Sequence, residues 1–537
     1  MRFGSFEKAQ ADWRAAGLWN ELTLPVALAA AAESAPTAPF VLHREGAVEV
    51  YPLSEVHALG RNIAGALQRA GICRGDVVAV QLPNSLENSA LYQGILLAGA
   101  VVLPLSCTLG PADLTFILSD SQARMFIVPD QWRAIDFKER VRKLGDLPCL
   151  AMVVMLGGDA KNHRVTNWSD LIAQGQPFSQ VVVDPDDLAF LMYTSGTTSN
   201  PKGVMHSSRS LLAELNTRDH FREEKVLLSP WPTGSMAATS AILAHIVMGL
   251  TVVMMDKWDA DAAADLLEVW QVGGMQTTPF HLSALLDAAV TRGRSLATLK
   301  GVRVGATTVP EALMRRASEM GVPVVRSYGS TEHPSATQGV PHDELELRIL
   351  SDGRPLPGSQ IRIVDDDGHD VPPGSEGEVL LRGPEQFKGY LKPELNEGAF
   401  LPERWFKTGD IGRVGSGGHL TITDRKKDII IRGGQNISSR EIEDLLLRLP
   451  AVADAAAIAV PDLRLGERVC AVVVLKQGMA LSLPEIDGAF QAMGIARHKT
   501  PEHLEFRDEL PRTPTGKVRK NELRAEFVAR ERPRPTR

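Results

Sequence analysis

Cysteine is scarce in this chain of 537 residues: Cys73, Cys107, Cys149 and Cys470 are the whole set, and no two form a CxxC pair. A disulfide framework and a zinc site are therefore not indicated. Positive charge is not in excess either. The formal net charge of −7 gives no electrostatic footprint for nucleic acid. Long apolar runs are missing: the longest, Ala241–Met255, is broken by His245 and Gly249 and falls short of a membrane span. The N-terminus does not resemble a signal peptide. Met1–Leu18 carries charges every few positions, and with Trp13 and Trp19 it suits a surface helix. No G-x-S-x-G elbow occurs, which disfavours a serine hydrolase. There is no internal repeat and no sustained low-complexity segment. What remains is a cytoplasmic globular protein of ordinary composition, 44% hydrophobic and 23% charged. Its length exceeds one core and predicts two or more domains.

What is present alternates. Leu53–Ala70 has helical spacing, Val77–Leu82 reads as a buried strand, Asn88–Ala100 as a helix, and Val101–Leu105 and Ala123–Val128 as strands. The alternation resumes with Val226–Leu228, Ala237–Met248, Thr251–Met255 and Asp261–Trp270, then helix–strand pairs over Pro279–Val304 and Pro310–Val325. Such a pattern predicts a parallel sheet covered by helices, an α/β fold. Near Ser351 the character changes. Short strands, glycine and proline predict a small β-rich subdomain over about 351–413, with Asp365–Gly368 as a hairpin turn and not a calcium loop. After Lys427 a fresh α+β pattern begins, so the domain boundary is placed in Asp424–Asp428. This divides the chain into 1–424, a hinge at 425–428, and a small domain over 429–537.

Five stretches carry candidate chemistry. The first, Tyr193–Gly203, leaves a short apolar strand at Leu188–Met192 and sets Thr194, Ser195, Thr197 and Thr198 around Gly196 before Pro201 and Lys202. It offers backbone N–H groups, hydroxyls and one cation to a polyphosphate, although a polar surface turn uses the same residues. Walker A spacing is absent. The second is Ser327-Tyr328-Gly329-Ser330-Thr331-Glu332. There a tyrosine suits stacking on a base, a threonine donation to a phosphate, and a carboxylate holding Mg²⁺; a plain strand end reads the same way. In the third, Trp405–Asp410, Asp410 follows a glycine and has the acceptors for two ribose hydroxyls, or caps a turn. The fourth, Asp424–Asn436, is a charged run at the composition change, suited to a hinge or a solvated linker. The fifth, Pro511–Lys520, places Lys517 on a Pro/Gly loop, a setting in which lysine is ordinarily solvent-exposed.

Taken together and in this order, the five stretches closely resemble the motifs of the adenylate-forming superfamily of acyl-CoA synthetases, adenylation domains and luciferases. The resemblance covers nearly the whole chain. It implies a large N-terminal domain of doubly wound α/β subdomains plus the β-rich subdomain, followed by the mobile C-terminal domain. It implies that Thr194, Ser195, Gly196, Thr197, Thr198 and Lys202 hold the phosphates of ATP. Gly305, Ala306 and Thr307 are similar to the adenine-facing turn, and Ser327, Tyr328 and Gly329 continue the nucleotide site. Thr331 and Glu332 are implied in catalysis, with Glu332 and Thr194 at Mg²⁺. Asp410 is implied at the ribose, Ile422 beside the nucleotide, Arg425 at ribose or α-phosphate, and Lys427 as the hinge. Gly433 and Gly434 would line the channel for the thiol of CoA, and Lys517 would be the catalytic lysine. The chain departs from the pattern at Ser199, where glycine is usual, at Gln435, where glutamate is usual, and at Ser439, where many members have proline.

The implied activity is that of an acid–CoA ligase: a carboxylic acid and Mg·ATP give acyl-AMP, and CoA then takes the acyl group. The partners are small molecules, and a homodimer is compatible with the sequence. No Asp or Glu occurs between Glu224 and Asp256, so an α-amine would lack a counter-charge. Ala237, Ala238, Thr239 and Ala241 after Trp231–Met236 form a small-residue wall suited to a fatty, alicyclic or steroid-side-chain acid; close helix packing explains the same pattern. The phrases Tyr-Gly-Ser-Thr-Glu-His and Gly-Gly-Gln-Asn-Ile-Ser lean towards the cyclohexanecarboxylate–CoA ligase branch. An enzyme loading a separate carrier protein and a non-catalytic ATP-binding homologue are the alternatives.

Overall fold

The computed structural model describes residues 3–157, 165–173, 178–194, 201–217, 223–513 and 516–531. Two large sheets form the N-terminal part. In one, the strands Val324–Tyr328, Gly301–Val304, Gly274–Thr277, Val226–Ser229, Thr251–Met255 and Pro39–Arg44 lie side by side and parallel. In the other, Leu188–Thr194, Val101–Pro104, Val77–Val80, Met125–Pro129 and Met152–Leu156 do the same.

Their near-continuous apolar runs follow from burial on both faces. Phe40 and Leu42 face a core shared with the second sheet, and Val41 faces the outer helices Ala260–Val269 and Pro279–Arg292. In the second sheet Val78, Val80 and Val102 face the shared core, whereas Ala79, Val101 and Leu103 face a different cluster under the helix Pro111–Asp120. The helix Leu86–Leu97 belongs to that shared layer. Ser85 caps it by accepting from Asn88 N at 3.1 Å, and every residue from Asn88 to Leu97 is buried. The architecture is α/β, with two sheets around common helices and covered outside by others.

A third, antiparallel sheet is built from Gln360–Val364, Gly377–Arg382, Phe400–Leu401, Trp405–Val414 and Leu420–Arg425. The Asp365–Gly368 turn spends Asp365 Oδ1 on its own backbone, accepting from Asp367 N and His369 N. The N-terminal helix Phe6–Ala15 docks more closely than a surface helix requires: Trp13 is buried and its indole N–H donates to Gly358 O at 3.0 Å.

A smaller α+β unit follows. Ile430–Arg432, Gln435–Ile437, Gly466–Leu475, Val452–Asp462 and His503–Phe506 form its sheet. Its own core holds Ile430, Ile442, Leu446, Val469 and Phe490. Several strands escape the sequence pattern, among them Pro39–Arg44 and Met152–Leu156, and three show why. Gly274–Thr277 has only four residues and includes a glycine and a glutamine; Gln435–Ile437 is equally polar; Lys202–Ser207 lies in a stretch that otherwise reads as loop leading to helix.

Candidate active site

Residues from all five stretches come together near the carboxyl ends of the parallel strands. The first is a hairpin. Leu188–Thr194 pairs antiparallel with Lys202–Ser207, and Thr194 stands opposite Lys202, so residues 195–201 bridge two strands. Ser195, Gly196, Thr197 and Thr198 lie outside the described residues. At the hairpin's base the Tyr193 hydroxyl donates to Asp120 Oδ2 at 2.7 Å, and Lys392 pairs with Asp120 Oδ1 at 2.7 Å.

Ser327 and Tyr328 end the strand Val324–Tyr328, and the chain then turns sharply. A Cβ at Gly329 would lie 2.1 Å from Pro334 O, so only glycine fits there. Beyond it, the Thr331 carbonyl accepts from His206 Nε2 at 2.7 Å. A carbonyl only accepts, so Nε2 carries the proton. Burial lowers the His206 pKa to about 4, which keeps the ring neutral. Glu332 is half-buried: its Oε1 accepts from the Tyr390 hydroxyl at 2.8 Å, and among the described residues its Oε2 accepts nothing. Behind the motif, fully buried His333 stands 2.9 Å from Glu385.

Asp410 arrives from the antiparallel sheet. Thr408 donates to Val379 O and accepts from Asp410 N, and Gly409 at φ +70° turns the chain, so the carboxylate is aimed by its own motif. The Tyr328 hydroxyl donates to Asp410 Oδ2 at 2.6 Å, and Arg425 Nε pairs with Oδ1 at 2.9 Å. Arg425 is the cross-strand partner of Asp410. Burial, then the Asp410 charge, holds the Tyr328 phenol well above its ordinary pKa. Ile422 lies on the same sheet in the apolar cluster against which Tyr328 packs.

Lys517 comes from the small unit, on a tight loop closed by Thr513 N→Lys517 O at 2.8 Å and Lys517 N→Thr513 Oγ1 at 3.1 Å. A Cβ at Gly516 would lie 3.9 Å from Thr278 Oγ1, the N-cap of Pro279–Arg292, so the loop faces the large domain. Burial and then the Arg425 charge lower the Lys517 pKa to about 8, with Asp410 and Glu332 opposing and Lys427 adding to the fall. Lys517, Glu332, Asp410 and Arg425 thus share one electrostatic neighbourhood. The Glu332 carboxylate offers a hard oxygen of the kind that divalent cations such as Mg²⁺ take as ligand.

Gly305, Ala306 and Thr307 follow the strand Gly301–Val304, and Gly305 N donates to Thr277 O at 3.1 Å. Ala306 sits at φ +67°, a left-handed conformation costing alanine about 1 kcal/mol. Gly433 and Gly434 stand apart from the cluster. They form the exposed two-residue turn of the Ile430–Ile437 hairpin, both at positive φ as a type I′ turn demands. A cavity of about 620 Å³ between Trp13 and Gln360 shares no residue with this site, so cavity size does not mark the chemistry.

The small-residue wall is divided. Ala238 and Thr239 are buried in helix packing, whereas Ala237 and Ala241 are partly open on one helix face. Residues missed in the sequence are Tyr390 and His206. Neither sits within a motif that reaches its partner; 58 and 125 positions separate them from the residues they hold.

Residues 28–391 match the AMP-binding enzyme family, and 441–517 match the AMP-binding enzyme C-terminal domain. The chain belongs to the AMP-binding enzymes. It is 35% identical to the medium-chain fatty-acid–CoA ligase of Escherichia coli (strain K12), over 98% of this chain and 94% of that protein. It is 31% identical to the 3-[(3aS,4S,7aS)-7a-methyl-1,5-dioxo-octahydro-1H-inden-4-yl]propanoyl:CoA ligase of Rhodococcus jostii (strain RHA1), over 88% and 93%. The o-succinylbenzoate coenzyme A synthetase of Bacillus subtilis, solved with ATP and magnesium ion, superposes with a TM-score of 0.80 at 25% identity, covering 94% of this chain and 100% of that one. This AMP-binding enzyme is an ATP-dependent, AMP-forming acid–thiol ligase. No helix among its described residues is long and apolar enough to cross a membrane.

Proposed function

We propose that the protein joins a hydrophobic carboxylic acid, of fatty, alicyclic or steroid-side-chain type, to CoA through an acyl-AMP. The observation that carries this reading is that the Lys517 loop packs beside Thr278 of the large domain, where the lysine feels the charges of Glu332, Asp410 and Arg425, residues from separate parts of the fold. In the first half-reaction a carboxylate oxygen attacks the α-phosphorus of ATP, and the bond to pyrophosphate breaks. Lys517, protonated below its pKa of about 8, offsets the charge that gathers between carboxylate and α-phosphate. Asp410 accepts from the ribose hydroxyls and Arg425 stands beside it; each carboxylate oxygen keeps a lone pair beyond its present bond. Lys202 and Thr194 meet the phosphates with the hairpin loop between them, and Thr331 donates to a phosphate. Glu332 and Thr194 would hold Mg²⁺, whose part when bound is to neutralise phosphate charge.

In the second half-reaction the thiol of CoA attacks the acyl carbonyl and AMP leaves. Gly433 and Gly434, exposed at their turn, would reach the site when the small domain swings about Lys427. The partly open Ala237 and Ala241, the lack of Asp or Glu between Glu224 and Asp256 and the two relatives named for fatty and indene-type acids support the choice of acid. Four free cysteines support a reducing, cytoplasmic setting.

Pyrophosphate release with Mg·ATP, measured against short-, medium- and long-chain, aryl, cyclohexane and steroid acids with and without CoA, tests this reading. A preference for one apolar class together with CoA-dependent thioester supports it. Release that yields thioester only on a carrier protein overturns the CoA assignment.

A further inference from the structure

Lys202 and Glu332 carry opposite charges in one site, yet among the described residues Lys202 makes no ion pair. One side chain stands between them. Tyr390 lies on the two-residue strand Gly389–Tyr390, opposite Val204 of Lys202–Ser207, and is nearly buried. Its hydroxyl donates to Glu332 Oε1 at 2.8 Å, and Lys202 Nζ lies 5.0 Å from its ring centroid. The tyrosine is itself clamped: Asn396 accepts from Tyr390 N at 2.8 Å and donates to Tyr390 O at 3.0 Å, while Phe387 packs edge-on at 5.0 Å.

We infer that Tyr390 is a positioning residue that holds the phosphate-facing lysine and the metal-facing carboxylate apart, each in its working place. The ring face takes the ammonium by a cation–π contact, which leaves its N–H groups for phosphate. The hydroxyl occupies one carboxylate oxygen and fixes the rotamer, which leaves Oε2 for the cation. Without the spacer, lysine and glutamate are free to neutralise one another. The inference rests on the proposed Mg·ATP site.

Calorimetric titration of the full-length protein with ATP, in Mg²⁺ and in EDTA and without acid, reads the two roles separately from turnover. Tyr390→Phe keeps the ring and loses the hydroxyl. It is expected to cut the Mg²⁺-dependent gain in ATP affinity about tenfold, the scale of a hydrogen bond to a charged group, while metal-free ATP binding holds. Tyr390→Leu loses both contacts and is expected to weaken metal-free binding as well. The hydroxyl effect should disappear when Phe is combined with Glu332→Gln, which keeps the test informative if the single variant is also less stable. A Tyr390→Phe variant with wild-type Mg²⁺ gain, or an effect that persists beside Glu332→Gln, overturns the inference. If the wild-type protein itself shows no Mg²⁺ gain, the proposed site fails instead.

Discussion

Glu332 and Lys517 enter one site by contrasting routes. Glu332 follows Val324–Tyr328, the last strand of the parallel run, which pairs parallel with Gly301–Val304 on one side and antiparallel with Thr337–Gln338 on the other, and its loop is gripped from two sides, by His206 at the Thr331 carbonyl and by Tyr390 at the carboxylate. Lys517 rides on a loop of the small unit, which among the described residues meets the large one through polar contacts. Ser439 N donates to Asp424 Oδ2 at 2.6 Å, Arg440 donates to Ile422 O at 2.7 Å, and Arg448 stands 3.7 Å from Glu311. The carboxylate is fixed by packing; the ammonium is delivered by a few breakable bonds. A reaction with two half-steps at one nucleotide site gains from such a division, because the groups both steps need stay put and the group only one step needs can leave.

Removing the delivered group should have the largest effect. Lys517→Ala is expected to slow acyl-AMP formation by roughly 10²–10³-fold, as loss of a preorganised charge does, while thioester formation from supplied acyl-AMP stays near wild type. Equal loss in both assays would erase the contrast. Glu332→Gln, on the fixed side, should weaken the Mg²⁺ response of adenylation about tenfold or more without altering acyl-AMP release to CoA; unchanged Mg²⁺ dependence would remove it from the metal site.

The pH profile separates the two residues further. The Lys517 pKa is lowered from its ordinary value to about 8, so the cation predominates below that pH and is lost above it. Single-turnover adenylation should therefore fall about tenfold per unit on the alkaline side, and Lys517→Arg should flatten that limb because guanidinium stays charged. The smallest effect belongs to the attachment. Arg448→Ala breaks an exposed pair worth under about 1 kcal/mol, so it should reduce adenylation relative to thioester formation by no more than about fivefold.

The parallel strands were legible because burial on both faces writes continuous apolar runs such as Val77–Val80 and Thr251–Met255. Candidate residues inside short strings were legible too, since Thr408, Gly409 and Asp410 shape one another locally. What stayed hidden was pairing at long range. The reach of Tyr390 to Glu332 depends on an added two-residue strand, and no period or turn signal announces so short an element. Ala237 and Ala238 are identical in sequence, but one is partly open and the other packed away; helix rotation alone decides which can meet an acid.

The Leu86–Leu97 helix has a consequence for anyone who would reshape this enzyme. Packed between two sheets with every residue from Asn88 to Leu97 out of solvent, it belongs to both, so neither sheet can be melted, trimmed or exchanged without unseating the other. The two large sheets should denature in a single calorimetric transition, and changes aimed at substrate preference belong on the face of the Met236–Met248 helix where Ala237 and Ala241 are partly open.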